Sequence, residues 1–265
     1  MDASSLGSSS SRSPAHSDSG AQGNYILLEP VQAYDRIAPE LPRLSYSRRA
    51  YLDRIDRVVI SQIPEGSRSL LDIGAGDGHR ARQIAGAAGL KDVVLLEPSA
   101  SMRGMWPPDT RGWTIRAEEL SGKNDTFDVI TCLWNVLGHI FPTESRVEVL
   151  RQCGRLLSRE GLLFLDVSHR YNVLHYGLLP TILRMMRDRI LPNEKNGDVM
   201  ACWNVNGCSY ATNGHVFTDP EFRRISSSAG LTIRKVFIVD YATGEIRHSV
   251  FAGHLLYVLA RTPAM

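Results

Sequence analysis

Between Ser69 and Val167, apolar residues come in short blocks separated by longer stretches of mixed polarity. Ser69–Ile73, Asp92–Leu96, Phe127–Trp134 and Gly161–Val167 are strand-length runs without polar alternation, the pattern of strands covered on both faces. Trp113–Arg116 reads as a shorter strand. Between these runs, His79–Ala88 reads as a helix, Ser99–Met105 as a short helix capped by Ser99, and Thr143–Leu157 as an amphipathic helix. On the last, Val147, Leu150, Cys153 and Leu157 share one face. Upstream, Tyr25–Ile63 reads as helical. Tyr51, Leu52, Ile55, Val58 and Val59 form its apolar stripe, and Pro64-Glu65-Gly66 ends it. Strands alternating with helices predict an α/β fold: a mostly parallel sheet with helices on both faces.

The alternation stops after Val167. His169–Asn196 reads as helix and loop, with Arg184, Arg187 and Arg189 around Asp188 as a solvated helix face. Ala201–Val205 and Cys208–Ala211 flank Asn206-Gly207, a strong hairpin signal. Thr218-Asp219-Pro220-Glu221 starts a helix that runs to Ala229 and stops at Gly230. Thr232–Val239 and Val250–Ala260 have no crossover helix between them, so they are expected to pair antiparallel. The segment 171–217 is long for a connection and rich in aromatic residues, and reads as an insertion covering the substrate. Residues 1–23 are Ser/Gly-rich and read as a disordered tail, leaving 24–265 as one domain.

Composition narrows the function. Thirty Lys and Arg against 28 Asp and Glu give a net charge of +2, too little basic excess for a nucleic-acid-coating protein. No apolar run reaches the ~18–20 residues of a membrane-spanning helix, so no membrane association is expected. The four cysteines form no CxxC pair, which predicts reduced thiols and no metal. With no hydrophobic leader in Met1–Gly23, this points to a cytoplasmic setting.

The candidate chemistry lies where the first strand ends: Asp72-Ile73-Gly74-Ala75-Gly76-Asp77-Gly78. Glycines between a strand and a helix allow a tight turn and close approach of a ligand to the backbone. Glu97 closes the next strand 19 residues after Gly78, where a carboxylate reaches ribose hydroxyls, and Pro98-Ser99 leads into a helix. His79 stands where a dinucleotide fold needs a third small residue, which disfavours a nicotinamide cofactor. Asp72 and Asp77 would repel a pyrophosphate and attract a cation. A ligand with a ribose, a positive charge and no phosphate fits, and S-adenosylmethionine is such a ligand.

Asp72–Gly78, Glu97-Pro98-Ser99, Ala117-Glu118, Phe127–Ile130 and Leu157–Val167 resemble, in order and spacing, the motifs of class I S-adenosylmethionine-dependent methyltransferases. The resemblance spans about Tyr34 to Ala260 and implies a Rossmann-like sheet of seven strands with the last antiparallel. It also implies site roles. Gly74, Ala75 and Gly76 would face the cofactor backbone, with Asp72 near its amino-acid end. Glu97 would hold both ribose hydroxyls, and Ala117 and Glu118 would sit beside the adenine. Leu133, Trp134 and Asn135 would lie next to the methyl group. Tyr34 falls in the region that often covers the cofactor, and Arg48 or Arg49 is a candidate for its carboxylate.

Ligands of such sheets bind beyond the C-terminal strand ends, so Trp134–His139 and Ser168–Asn172 are the acceptor candidates. The pair is similar to glycine and sarcosine N-methyltransferases. That similarity implies that Asn135 and Arg170 hold an acceptor carboxylate, and an arginine fork suits that task. His139, with His169 behind it, is the candidate base for a hydroxyl acceptor. The expected partner is a small-molecule methyl acceptor, nitrogen being the sharper expectation. O-methylation of a small natural product or acid, and a cofactor-binding regulatory module without turnover, stay open, as does the oligomeric state.

Overall fold

The computed structural model describes residues 25–263. The tail expected over 1–23 lies outside the described residues. The chain begins with a two-residue strand β1 (Ile26–Leu27), then α1 (Pro30–Ile37), α2 (Leu41–Ser47) and α3 (Arg49–Gln62). The continuous helical reading of this region is thereby corrected. Pro30, Pro39 and Pro42 each occupy the first or second position of a helical piece, where the absent N–H is tolerated and a new helix starts.

The alternating part follows as β2 (Ser69–Ile73), α4 (His79–Ala88), β3 (Asp92–Leu96), α5 (Ala100–Arg103), β4 (Gly112–Trp113), β5 (Phe127–Cys132), α6 (Thr143–Leu156) and β6 (Leu157–Val167). Next come α7 (Val173–Tyr176), α8 (Leu178–Ile190), β7 (Asp198–Val205), β8 (Cys208–His215), α9 (Asp219–Ser228), β9 (Leu231–Val239), β10 (Ile246–Arg247) and β11 (His254–Arg261). The main sheet has the order β10-β9-β11-β6-β5-β2-β3-β4. β4, β3, β2, β5 and β6 pair in parallel, while β11 runs antiparallel to both β6 and β9. Among the described residues the sheet therefore has eight strands rather than seven. The extra one, β10, is a two-residue edge piece closing the turn after β9.

Successive strand residues serve opposite faces. Leu71, Ile73, Ile130 and Leu165 pack with Leu150 and Leu156 of α6 and Phe222 and Ile225 of α9. Leu70, Val129 and Phe164 pack with Leu52, Ile55 and Val59 of α3 and Ile84 of α4. Burial on both sides accounts for strands that carry no polar alternation. β2 and β5 are neighbours although β3 and β4 lie between them in sequence, so connections leave the sheet in opposite directions there. Their C-terminal ends open a crevice at that switch point.

β7 and β8 form an antiparallel hairpin with Val205 opposite Cys208. Asn206 and Gly207 both have positive φ, 51° and 80°, as a two-residue primed turn requires. β1 adds to β8 in parallel, making a second, three-stranded sheet. No helix among the described residues is long and apolar enough to cross a membrane.

Candidate active site

A cavity of about 950 Å³ opens over the ends of β2, β3 and β5. Its floor is the glycine turn. Gly74 and Gly76 have φ of 72° and 54°, and a Cβ on Gly74 would stand 2.5 Å from Val136 Cγ2. Only glycine satisfies both the left-handed backbone and the close packing at position 74. The N–H groups of Gly74 and Ala75 donate to the Leu96 carbonyl, which ties the turn to the end of β3.

Glu97 is buried beside this turn. Its two carboxylate oxygens accept from Gly76 N–H at 2.9 Å and Ser99 N–H at 2.8 Å. Burial raises its pKa, and these two hydrogen bonds counter the rise. Asp72 accepts from the Thr131 hydroxyl at 2.7 Å, and burial pushes it up to about 7. A cation entering beside it would restore its charge.

β5 ends at Cys132, short of the expected Trp134. Trp134 and Asn135 take φ of 64° and 59°, which no strand continues. Asp166, near the end of β6, fixes this bend: its carboxylate accepts from Trp134 N–H and, at 2.5 Å, from the Tyr51 hydroxyl. Asn135 accepts from Ser168 N–H at 3.0 Å and donates to the His215 carbonyl at 3.2 Å, joining the ends of β5, β6 and β8.

The turn that follows β5 carries His139. Its Nδ1 lies 3.0 Å from the Asn213 carbonyl, so that nitrogen carries the proton. Nε2 is then an acceptor, and the Tyr34 hydroxyl donates to it at 3.0 Å. Burial holds the His139 pKa below its ordinary 6.5 and raises that of Tyr34, with Glu97 adding to the latter. The Tyr34 ring meets His139 edge-on and leans against Trp203 of β7, 6.0 Å away.

The cavity wall brings together Asp72, Gly74, Ala75, Gly76, Glu97, Pro98, Ala117, Glu118, Leu133, Trp134, Asn135 and His139. Arg170 is not among its lining residues, which corrects the expected carboxylate clamp. Its buried guanidinium donates to Asp188 at 2.9 Å, Glu221 at 2.7 Å and the Val216 carbonyl at 3.2 Å. His169 is likewise buried behind the wall. Arg48 and Arg49 both reach the cavity, but Arg49 pairs with Asp53, whereas Arg48 lies 4.5 Å over the Tyr241 ring. Among the described residues, no group of three or more His, Cys, Asp or Glu could hold a metal ion.

Sequence reasoning missed Asp166, Tyr241 and Asn213. Asp166 did leave a signal, as a lone carboxylate in the apolar run Leu162–Val167. Tyr241 and Asn213 left none, because they reach the site from distant loops and hairpins.

A sequence profile described as a methyltransferase domain matches residues 43–236. No curated protein sequence matches the chain. Among solved structures, an S-adenosylmethionine-dependent methyltransferase from Clostridium acetobutylicum superposes with a TM-score of 0.60 at 12% identity, covering 88% of this chain and 99% of its own. A sugar N-methyltransferase from a Streptoalloteichus species gives 0.57 at 16% identity, over 98% and 100%. An amino pentose methyltransferase of calicheamicin biosynthesis from Micromonospora echinaspora, solved with S-adenosylmethionine bound, gives 0.55 at 16%, over 84% and 97%. At these identities the likeness is one of fold.

Proposed function

The chain belongs to the methyltransferase-domain family of class I S-adenosylmethionine-dependent enzymes, and on that premise we propose that it methylates a nitrogen or oxygen of a small molecule with His139 as the proton acceptor. The observation that carries this reading is the Tyr34–His139 pair inside the cavity.

The cavity suits the donor chemically. Glu97 would take the ribose hydroxyls, and the glycine turn leaves room for a ligand against the backbone. Ala117 and Glu118 would flank the adenine. Asp72 would face the ammonium and Arg48 the carboxylate. Bound there, S-adenosylmethionine supplies an electrophilic methyl group on a sulfonium that leaves as a neutral thioether.

The protein's own part is positioning and proton transfer. Asp166 and Tyr51 hold Trp134 and Asn135 in the left-handed bend, which fixes the wall next to the reacting atoms. Asn135 joins three strand ends and keeps that wall rigid. His139 is neutral at pH 7 because burial lowers its pKa, so Nε2, which accepts from the Tyr34 hydroxyl, would take the proton that an amine or hydroxyl loses by relay through that hydroxyl. Trp203 and Tyr34 offer an apolar wall to the body of the acceptor. With Arg170 paired to Asp188 and Glu221, it is not the group that would recognise the acceptor.

His139→Ala is expected to lower kcat by about 10²–10⁴-fold. It should also abolish the acid limb of the wild-type pH–rate profile, which is expected below 6.5. An unchanged rate and profile would remove His139 from this role.

A further inference from the structure

α8 is built inside out. Thr181, Arg184 and Asp188 lie three and four residues apart on one face, and that polar face is turned toward the body of the protein. Thr181 is fully buried, Arg184 lies 4.1 Å over the Tyr176 ring, and Asp188 accepts from Arg170 and from the Tyr171 hydroxyl at 2.6 Å. These contacts fix the roll of the helix. Its opposite face carries Leu179, Leu183, Met186 and Ile190, each between 53% and 68% exposed, flanked by Ile182 and Met185. A helix that only completed a monomer would place its faces the other way round.

We propose that this face of α8 is the interface of a two-fold symmetric homodimer, in which it packs antiparallel against α8 of a second copy. Three observations select that occupant. The positions 179, 183, 186 and 190 step by four, three and four, the spacing of a helix–helix seam. Exposed apolar residues continue beside that seam at Leu178, Ile182 and Met185, so the seam is part of a contiguous apolar surface of the kind that marks an interaction site. The charges fit a helix better than a lipid surface. Arg187 and Arg189 are the only basic residues exposed on α8, where an anionic-membrane site gathers about 4–8, and the face has no aromatic residue to anchor in an interface. The two arginines sit at the C-terminal end, so antiparallel packing separates them from their copies and parallel packing would stack them. The surface is isologous, since one patch serves both partners.

Sedimentation velocity of the full chain at micromolar concentration tests the proposal. The wild type is expected to sediment as a dimer. Leu183→Glu and Met186→Glu, each exposed in the monomer, should raise the dimer dissociation constant by at least ~100-fold, because each change buries two charges against an apolar partner. S-adenosylmethionine affinity and circular dichroism report that these variants remain folded. A monomeric wild type at about 100 µM, far above the ~1 µM range of ordinary specific complexes, would overturn the proposal, as would a dimer indifferent to both substitutions. A monomer that co-sediments with phosphatidylserine-containing vesicles through the same residues would also overturn it, and would assign the face to membranes.

Discussion

Asp72 is the residue whose state depends most on what enters the cavity. Its folded pKa of about 7 lies above the 3.8 of a free aspartate because burial disfavours the charge. A cationic donor favours the carboxylate, so binding and deprotonation are linked. Affinity for S-adenosylmethionine is therefore expected to fall as pH drops through 7, approaching about tenfold per unit below it. Calorimetric titrations across that range would show this slope in the wild type and a flat line in Asp72→Asn; a flat line in the wild type would contradict the linkage. The place of Asp72 and Glu97 at the cavity was legible in the sequence because it follows from spacing along two strand ends. Arg170 was not. Its position after a strand was legible, but not the direction of its side chain. The acids that claim it lie 18 and 51 residues further along the chain.

Elements meet at that arginine. Arg170 joins the end of β6 to α8 through Asp188 and to α9 through Glu221, and His215 of β8 lies 2.7 Å from Glu221. Removing one partner of a buried ion pair leaves an uncompensated charge, so Arg170→Ala is expected to lower stability by about 3–5 kcal/mol. Urea unfolding measures that loss. The folded fraction should keep its acceptor KM, whereas an acceptor clamp would give the reverse, a raised KM at full stability. The same cluster explains why only Arg187 and Arg189 of the expected solvated face are exposed, while Arg184 and Asp188 turn inward. Arg184 and Asp188 look like surface charges in sequence, and only Arg170 and Tyr171, in the segment after β6, and Tyr176 of α7 turn them inward. The core strands and the hairpin at Asn206-Gly207 were legible because local pattern alone determines them. The early end of β5 was not, because the left-handed bend at Trp134 and Asn135 is imposed by Asp166 and by the distant His215 carbonyl.

At the scale of the molecule, the sheet brings its switch point, the glycine turn and the Tyr34–His139 pair to one cavity, and the hairpin of β7 and β8 closes that cavity with Trp203. The cavity wall thus draws on two sets of residues. The parallel sheet supplies Asp72, Glu97 and the glycines, while the N-terminal helices and the β7–β8 hairpin supply Tyr34, Arg48 and Trp203. The sequence motifs fall on the first set, and their order identifies the fold. The second set takes its place only through tertiary packing, so the acceptor stayed open in the sequence. The most direct test is formation of S-adenosylhomocysteine by purified protein given methyl-labelled S-adenosylmethionine and a panel of small amines and alcohols, amino sugars included. Glu97→Ala would be run alongside. The account expects label in at least one acceptor, with donor affinity at least about tenfold weaker in Glu97→Ala, which lacks the hydrogen bonds of a charged group. Tight donor binding with no transfer to any acceptor would contradict it and leave a cofactor-binding module without turnover.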